Sequence, residues 1–324
     1  MKVVLAGEYP QGTYENFKIK FENNPDIEFI KVDNIDDYNK MEDAEIIILR
    51  IFKAKEEVIK RNKKLKMIVR WGAGYDSVDI KAAGEQGVIV TNTPGVNAQA
   101  VAELTILLML ALNRKLLNHI ESLKNGHWSK NTFLNQSFTL SNKTIGIIGG
   151  GNIGKTVARL LNSFEARVIY YDPYRMNLEE EKRLSMEYRS LENLLKEADI
   201  VTLHIPLLES TKHIIGKAEI VQMKQGALLI NTSRGGLIDE EALLEGIKTG
   251  KIRGAGLDGV ENEPLKKDDE LLKYSNVIVT PHVGGGTIDL SDKIIPVIVE
   301  DILKFLYNQD ISHIVNKKFL KKNS

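Results

Sequence analysis

The sequence predicts an α/β protein with two domains, each built on a parallel β-sheet with helices on both faces. Short apolar runs alternate with helical patterns along almost the whole chain, which is typical of parallel sheets connected by helices. The chain has 324 residues, and a single hydrophobic core stops growing at roughly 250–300 residues, so two domains are expected. A glycine-rich turn near residue 150 opens the second series of strands, so the first series belongs to the other domain.

The first series precedes residue 98. Its strand candidates are short and apolar, and they are Val3–Ala6, Ile27–Val32, Glu45–Leu49, Lys66–Val69 and Val88–Val90. Helical patterns lie between them at Lys55–Asn62 and Ile80–Glu85. A long, largely apolar segment without proline follows at Ala98–Lys124. It predicts one long helix that is buried between domains or between subunits.

The second series runs from Lys143 to His282. Its further strand candidates are Val168–Tyr171, Ile200–Leu203, Ala227–Asn231, Gly254–Leu257 and Val277–Thr280, with helices at Leu191–Lys196 and Glu240–Thr249. A last amphipathic helix, at about Asp289–Tyr307, contains Pro296, which predicts a kink or a later start. This helix is expected to return to the first domain. The predicted domains are therefore residues 1–98 with 285–324, and residues 99–284.

Composition argues against several classes of function. The 44 basic and 44 acidic residues cancel, with no long run of one sign, so neither nucleic acid nor an anionic membrane is an expected partner. The absence of cysteine excludes disulfides, thiolate metal sites and a cysteine nucleophile, and no metal-ligand spacing is present. The longest apolar block, Leu104–Leu112, is half the length of a membrane span. The N-terminal apolar run is too short for a signal peptide, so a cytoplasmic location is expected.

The most specific motif lies in the segment Thr144–Asp172. An apolar run meets Gly149-x-Gly151-x-x-Gly154, a helical pattern follows, and a second apolar run ends at Asp172. The first glycine permits a tight turn, the second lets the backbone approach a pyrophosphate, and the third lets the helix pack on the strand. The first N–H groups of the helix then attract phosphates. The motif predicts a dinucleotide site.

Asp172 bears on which dinucleotide is bound. It follows the last glycine of the motif at a distance that suits a carboxylate accepting hydrogen bonds from a ribose 2′-hydroxyl. The same carboxylate repels the additional phosphate of NADP, so NAD is the expected cofactor. Arg175 would soften this preference if it reached the same site, but it is expected to be a solvated loop residue.

Arg234 follows another strand candidate, within Asn231–Asp239. Ligands of doubly wound sheets bind at the carboxyl ends of strands, so this position suits a substrate contact. A guanidinium fork binds a carboxylate through two hydrogen bonds, which lysine cannot reproduce. The alternative is an arginine that pairs with helix carbonyls or with an acid.

Acidic residues and a histidine follow the last two strand candidates. Asp258, Glu261 and Glu263 follow the first of these strands, and a solvated acidic loop is the alternative interpretation. His282 follows the second and precedes three glycines that would let a ligand come close. Histidine exchanges a proton near neutral pH, and a nearby carboxylate keeps it protonated. His204 also follows a strand and is expected to support a loop near the cofactor.

Together these segments resemble the D-isomer-specific 2-hydroxyacid dehydrogenase family, and best its phosphoglycerate dehydrogenase-like branch. The resemblance covers nearly the whole chain, through Gly149–Gly154 with Asp172, His204–Thr211, Asn231–Asp239, Gly256–Pro264, Pro281–Gly284, Arg70–Asp79 and Asn92–Asn97. It implies an NAD-dependent oxidoreductase that transfers hydride between NAD(H) and a small 2-hydroxy or 2-oxo acid. It also implies a Rossmann NAD-binding domain inserted into a flavodoxin-like substrate-binding domain, and a homodimer built around the Ala98–Lys124 helix.

The resemblance assigns roles to individual residues. It implies a catalytic set of Arg234, Glu263 and His282, in which Glu263 is preferred to Glu261 because the family's acid directly precedes the proline. Cofactor contacts are implied at Gly149, Gly151, Asn152, Ile153, Gly154, Asp172, Ile205, Pro206, Thr211, Thr232, Ser233, Arg234, Asp258, His282 and Gly284. Substrate contacts are implied at Arg70, Gly72, Ala73, Gly74, Arg234 and His282, with the backbone of residues 72–74 holding the substrate carboxylate.

Two departures from the family pattern bear on the substrate. Gly259 stands where the family has a bulkier residue, and Ile51 and Lys53 stand where Ser and Thr often follow the first arginine, here Arg50. The substrate therefore stays open among 3-phosphoglycerate, glyoxylate or hydroxypyruvate, and an aliphatic 2-oxo acid, and phosphite oxidation occurs in a neighbouring branch. Some family members are instead NAD-sensing corepressors with little turnover, but the intact Arg–Glu–His set favours an enzyme.

Overall fold

The structure is a computed structural model that describes residues 1–128 and 130–320. The chain divides into two compact units, Met1–Asn97 with Gly286–Ser324 (unit 1) and Ala98–Gly285 (unit 2). The described strands are β1 (Lys2–Ala6), β2 (Glu28–Val32), β3 (Ile46–Leu49), β4 (Met67–Arg70), β5 (Ile89–Thr91), β6 (Thr144–Ile148), β7 (Arg167–Tyr171), β8 (Met186–Tyr188), β9 (Ile200–Leu203), β10 (Ala227–Asn231), β11 (Ile252–Leu257) and β12 (Val277–Val279). The described α-helices are α1 (Thr13–Lys20), α2 (Ile35–Lys40), α3 (Glu56–Arg61), α4 (Ile80–Glu85), α5 (Ala98–Asn113), α6 (Leu116–Lys124), α7 (Asn152–Asn162), α8 (Leu178–Leu184), α9 (Leu191–Glu197), α10 (Lys217–Gln222), α11 (Glu240–Lys248) and α12 (Leu290–Leu306).

Unit 1 contains a parallel sheet with the strand order β2-β1-β3-β4-β5. This is the flavodoxin-like order of doubly wound folds. Successive residues of β3 point to opposite faces, so Ile46 and Ile48 pack into one buried cluster while Ile47 and Leu49 pack into another. Helix α12 packs on α1 and adds Ile294 to the first of these clusters.

Unit 2 contains a parallel sheet with the strand order β12-β11-β10-β9-β6-β7-β8. The order reverses beside β6, as in dinucleotide-binding sheets, which puts the crevice for a ligand at the carboxyl ends of β6 and β9. Leu229 of β10 packs on one face, and its neighbours Leu228 and Ile230 pack on the other. The predicted fold class of two doubly wound α/β domains is confirmed.

The predicted single helix over Ala98–Lys124 is wrong in one respect, because the structure breaks it into α5 and α6. Lys115 adopts a left-handed conformation (φ 51°) at the break. Asn113, the last residue of α5, accepts hydrogen bonds from the backbone N–H of Phe138 (2.9 Å) and from the Arg253 guanidinium (2.6 Å). These contacts come from distant segments, so the local pattern, which lacks glycine and proline here, does not reveal the break.

Two smaller differences concern the other elements. Strand β8 was not predicted, because it contains only three residues at the edge of the sheet and has no long apolar run. Helix α12 starts before Pro296 and contains it, so the predicted later start is wrong. The last four residues of the predicted first domain, 321–324, lie outside the described residues.

Candidate active site

The three glycines between β6 and α7 each meet a different steric requirement. Gly149 has a φ of 108°, and a Cβ there would lie 2.4 Å from the carbonyl oxygen of His204. A Cβ on Gly154 would lie 2.0 Å from the carbonyl oxygen of Gly149, so the helix packs directly on the turn. A Cβ on Gly151, by contrast, would meet no described atom within 4 Å. Gly151 therefore leaves open space where a ligand's pyrophosphate would approach.

Helix α7 begins directly after Gly151, with Asn152 and Ile153 as its first residues. No side chain among the described residues caps its N-terminus. The first N–H groups of a helix have no intrahelical partner and carry the positive end of its dipole. The open turn and the uncapped helix end together fit a dinucleotide pyrophosphate.

Asp172 lies at the end of β7, beside the glycine turn. Its Oδ2 accepts a hydrogen bond from the N–H of Gly150 (2.8 Å), and its Oδ1 accepts one from the N–H of Tyr174 (2.8 Å). Each carboxylate oxygen has a second lone pair, so the group retains acceptor capacity for a ribose hydroxyl. The carboxylate is thus fixed next to the backbone that fits the pyrophosphate.

The loop after β9 contains the predicted cofactor contacts Ile205, Pro206 and Thr211. The Thr211 hydroxyl donates to the carbonyl of Pro206 (2.7 Å) and accepts from the N–H of Leu208 (2.8 Å), so it closes this loop. His204 at the start of the loop is buried, and its Nε2 lies 3.0 Å from the Thr202 hydroxyl. Burial lowers the pKa of His204 to about 3, so this ring is neutral and suits loop support, as expected.

Thr232 and Ser233 follow β10 and are buried. The Thr232 hydroxyl lies 2.8 Å from that of Thr105 on α5, and the Ser233 hydroxyl donates to the carbonyl of Leu203 (2.7 Å). Both side chains therefore fasten the end of β10 to its neighbours. Their predicted cofactor contacts stay predictions.

Arg234 and Glu263 meet at Gly259. A Cβ added to Gly259 would lie 3.5 Å from the Arg234 Cα and 3.5 Å from the Glu263 Oε1, and 3.3 Å from the Gly235 nitrogen. The glycine that departs from the family pattern therefore sits against two of the predicted catalytic residues.

His282 and Glu263 form a direct pair. The His282 Nδ1 lies 3.1 Å from Glu263 Oε1 and 3.2 Å from Oε2. His282 has a left-handed backbone (φ 54°) after β12, and both side chains are exposed. The alternative acid, Glu261, instead pairs with His213 at 3.1 Å. The geometry therefore favours Glu263 as the partner of His282.

Asp258 holds the turn that carries His282. It is only 2% exposed, and its carboxylate accepts hydrogen bonds from the Thr280 hydroxyl (2.6 Å) and from the N–H groups of Val283 (2.8 Å) and Gly284 (2.7 Å). A carboxylate at Asp258 thus fixes both flanks of His282. The predicted cofactor contacts of Asp258 and Gly284 stay predictions.

Two supporting residues of the site were not predicted. Asn231 donates its amide to the carbonyl of Arg234 (2.7 Å) and accepts from the N–H of Ser233 (3.0 Å), which shapes the Arg234 loop. Thr280 anchors the His282 turn through Asp258. A polar residue that ends a buried strand is the available signal for both, but it does not specify the partner.

In unit 1, Arg70 ends β4, where it contacts backbone carbonyls. Its Nε donates to Gly74 (2.9 Å), and its Nη1 donates to Leu49 (2.7 Å) and Arg50 (2.5 Å). The guanidinium therefore ties the loops after β3 and β4 together. This arrangement supports a role for Arg70 in shaping the predicted substrate loop.

The predicted carboxylate-binding loop follows Arg70. The N–H of Gly72 donates to the Thr93 hydroxyl (3.0 Å), and the carbonyl of Ala73 accepts from the Asn92 amide (2.6 Å). Within the described residues the N–H groups of Ala73 and Gly74 donate no hydrogen bond. Ala73 and Gly74 are therefore the better candidates for binding an anion within this loop.

Two kinds of feature are absent from the described residues. These residues contain no group of His, Asp or Glu side chains arranged to hold a metal ion. None of their helices combines the length and the apolar character that crossing a bilayer requires.

Comparison with known proteins identifies the family. The family described as "D-isomer specific 2-hydroxyacid dehydrogenase, NAD binding domain" matches residues 106–284. The chain belongs to the D-isomer-specific 2-hydroxyacid dehydrogenase family. It is accordingly an NAD-dependent oxidoreductase, and the glycine turn, helix α7 and Asp172 fit that cofactor.

Individual relatives of this dehydrogenase differ in the substrates that they are named for. D-3-phosphoglycerate dehydrogenase of Methanocaldococcus jannaschii is 42% identical over 279 residues, which are 86% of this chain but 52% of the relative. This chain thus spans about half the length of that relative. Hydroxypyruvate reductase of Thermotoga maritima is 42% identical over 267 residues, 82% of this chain and 85% of the relative. A glyoxylate reductase structure from Paecilomyes thermophila is similar with a TM-score of 0.85 and 27% identity, covering 98% of this chain and 99% of that one.

Proposed function

We propose that this dehydrogenase reduces small, unphosphorylated 2-oxo acids such as glyoxylate and hydroxypyruvate with NADH. The observation that carries the proposal is the His282–Glu263 pair at 3.1 Å, which lies beside the Arg234 loop at Gly259. An imidazole held by a carboxylate, beside a loop that carries an arginine, is suited to protonating a carbonyl while an anion is held in place.

Each residue of this set has a distinct task in the proposed mechanism. When bound, NADH supplies the hydride that reduces the carbonyl carbon. His282 donates a proton to the carbonyl oxygen, and the Glu263 carboxylate orients the ring and stabilises its charged form. Arg234 binds the substrate carboxylate and polarises the carbonyl, so it acts through positioning and electrostatics.

The unit 1 loop after β4 is proposed to bind the substrate carboxylate. The N–H groups of Ala73 and Gly74 donate to no partner among the described residues, and this supports the role because adjacent backbone donors bind anions well. Arg70 would act indirectly by fixing this loop through its bonds to Leu49 and Gly74.

One structural observation supports an unphosphorylated substrate. In the loop after β3, Arg50 donates to the carbonyl of Glu8, and exposed Ile51 follows it. A phosphate would be better served by a free guanidinium and hydroxyl donors in this loop.

Oxidation of 3-phosphoglycerate is the second candidate. It is favoured by the equal identity to the phosphoglycerate dehydrogenase relative and by exposed Lys53, which supplies a positive charge in the same loop. The remaining possibilities, an aliphatic 2-oxo acid or phosphite, have no comparable observation in their favour.

The test is an NADH-oxidation assay of purified protein over a substrate panel. The panel contains glyoxylate, hydroxypyruvate, its 3-phosphate, pyruvate and 2-oxoisocaproate, with 3-phosphoglycerate and phosphite assayed in the NAD-reducing direction. The proposal predicts the highest kcat/KM for glyoxylate or hydroxypyruvate. A preference for the phosphorylated acid would establish the second candidate instead. NADH binding without turnover of any compound would favour the corepressor alternative.

We further propose a homodimer formed through α6. Leu116, Leu117, Ile120 and Leu123 are exposed on this one helix, although such side chains are normally buried. Leu107 of α5 is exposed as well. The cytoplasmic location expected from the sequence stays a prediction.

A further inference from the structure

Arg175 carries a charge near the nucleotide turn that opposes the role of Asp172. It follows Asp172 by three positions, and an arginine near the ribose is the feature by which dinucleotide-binding sheets accommodate a 2′-phosphate. The sequence alone predicts a solvated loop residue at this position. The structure shows where the guanidinium goes.

The guanidinium of Arg175 is bound by Glu181 of α8. Its Nε lies 2.8 Å from Glu181 Oε1, and its Nη2 lies 3.0 Å from Oε2. This bidentate pairing uses the same fork of N–H donors with which arginine binds a phosphate. On another side, the guanidinium lies 5.0 Å from the centre of the Tyr188 ring, in a cation–π contact.

Glu181 is itself rigidly held. It is only 7% exposed, and its Oε1 accepts a hydrogen bond from the hydroxyl of buried Tyr170 (2.8 Å). That hydroxyl in turn accepts from the N–H of Met176 (3.0 Å), next to Arg175 in the chain. The Arg175 guanidinium holds the pKa of Glu181 below its usual range, so the acid stays charged. Glu181 is thus a preorganised binding partner for the Arg175 guanidinium.

We propose that Glu181 holds Arg175 away from the 2′-position of the bound dinucleotide and thereby strengthens the selectivity of this enzyme for NAD. Asp172 repels a 2′-phosphate directly, while Glu181 withdraws the cation that would attract one. Glu181 is thus a positioning residue that determines cofactor specificity through Arg175. The inference rests on the proposed role of Asp172 at the ribose.

The experiment measures dissociation constants of NADH and NADPH by fluorescence titration without substrate, so it does not depend on turnover. The background is Asp172→Asn, which removes the direct repulsion and keeps an oxygen for the Gly150 N–H. Adding Glu181→Gln should tighten NADPH binding by roughly 10- to 100-fold, the scale of a charge-assisted hydrogen bond. NADH binding should change by less than about threefold, because its ribose has no phosphate to contact. Adding Arg175→Ala to this double variant should abolish the gain.

Glu180→Gln in the same background is the matched control. Glu180 is the neighbouring acid on α8 and pairs with Lys155 (2.8 Å) and Arg183 (3.4 Å) rather than with Arg175. The Glu180→Gln substitution removes the same charge but does not release Arg175. The NADPH affinity of this variant should therefore stay at the value of the Asp172→Asn background. An equal gain from Glu180→Gln, or a gain that survives Arg175→Ala, would overturn the proposal in favour of general electrostatics.

A second variant avoids disturbing the buried acid. Arg175→Ala in the Asp172→Asn background should leave NADPH affinity unchanged if Glu181 already holds the guanidinium. A loss of tenfold or more would show that Arg175 reaches the phosphate unaided, and the proposal would be wrong. If Asp172→Asn alone leaves the ratio of the NADH and NADPH dissociation constants as in the wild type, the proposed role of Asp172 is wrong. This outcome is distinguishable from a failure of the proposal for Glu181.

Discussion

Two of the residues proposed for catalysis, His282 and Arg234, are oriented by partners that take no part in the chemistry. Asp258 fixes the turn of His282, and Asn231 fixes the loop of Arg234. Glu263 faces the ring directly. Because a misplacement of about 1 Å can cost a hundredfold in rate, such supports matter as much as the reacting groups.

Replacing His282 by Gln should lower kcat/KM for 2-oxo acid reduction by roughly 10²–10⁴, because the general acid is lost. NADH affinity and the melting temperature should stay near wild type, since the side chain is exposed. Steady-state kinetics with a parallel NADH titration measure both. Activity within a few fold of wild type would exclude His282 as the proton donor.

Replacing Glu263 by Gln tests the partner of that histidine. The carboxylate fixes the orientation of the ring, so its removal should lower kcat for 2-oxo acid reduction by roughly 10- to 100-fold, the scale of a misplaced catalytic group. Glu261→Gln, which alters the acid paired with His213, is the matched control and should keep kcat near wild type. Wild-type kcat for Glu263→Gln together with a loss for Glu261→Gln would reverse the assignment.

Replacing Arg234 by Lys keeps the charge but removes the guanidinium fork. Turnover should fall by roughly 10²–10³, the scale of losing one transition-state donor, with NADH affinity little changed. The measurement is kcat/KM for the best substrate of the panel. Near wild-type efficiency would indicate a structural role for Arg234.

His204 makes the folded state sensitive to acid. Burial lowers its pKa to about 3 in the folded state, whereas an unfolded histidine titrates near pH 6.5. The unfolded chain therefore binds the additional proton first, and stability falls as the pH drops from about 6.5 toward about 3, by about 2 kcal/mol at pH 5.

Urea denaturation between pH 7 and pH 5 measures this effect. The variant His204→Gln should show a flatter dependence of the free energy of unfolding on pH. His127→Gln, which replaces an exposed histidine, is the control and should keep the wild-type slope. Equal slopes for wild type and His204→Gln would contradict the assignment.

At the scale of elements, the segment from β6 into α7 contains one glycine that packing requires and another that is proposed to make room for the cofactor. The close approach of Gly154 to Gly149 fixes how α7 packs, whereas Gly151 borders open space. Two substitutions of the same size at these positions should therefore have opposite consequences.

Gly154→Ala should destabilise the fold by about 1–3 kcal/mol, the cost of overpacking a tight contact. Gly151→Ala should keep the stability, because its φ of −75° suits alanine and no described atom would be closer than 4 Å. It should nevertheless weaken NADH binding, since the methyl group occupies the pyrophosphate's space. Thermal denaturation and NADH titration of both variants give the comparison. Normal NADH affinity in Gly151→Ala would show that the pyrophosphate does not bind at this turn.

Some helices and strands have boundaries that the local sequence pattern predicts correctly. Helix α4 and strand β9 have the predicted boundaries, Ile80–Glu85 and Ile200–Leu203, because their apolar periodicity and flanking polar residues are local. The break between α5 and α6 depends on hydrogen bonds from Phe138 and Arg253, which no local pattern encodes.

At the scale of the whole molecule, the exposed face of α6 predicts association. The double variant Leu117→Glu/Leu123→Glu should give a monomer where the wild type gives a dimer, because charges do not bury in an apolar interface. Light scattering coupled to size-exclusion chromatography measures the mass. Ile19→Glu, at an exposed isoleucine of α1, should leave the mass unchanged. A wild-type monomer, or a dimer in the double variant, would disprove the α6 interface.

The sequence by itself determined the fold class, the nucleotide turn and the candidate acid–base residues. These follow from local signals, since a glycine spacing, an apolar run and a polar strand end each depend on a few neighbouring residues. The resemblance to the family implied Glu263 rather than Glu261, because the family's acid directly precedes a proline, and the contact to His282 agrees with this choice.

Only the tertiary structure decided which groups those residues contact. The buried Asp258 carboxylate accepts hydrogen bonds from the turn that carries His282, and Arg70 donates to three backbone carbonyls. Glu181 binds the guanidinium of Arg175. The physical reason is that hydrogen-bond partners are selected by distance and direction in space. Residues far apart in the chain become partners only after the strands have packed, so no local pattern specifies them.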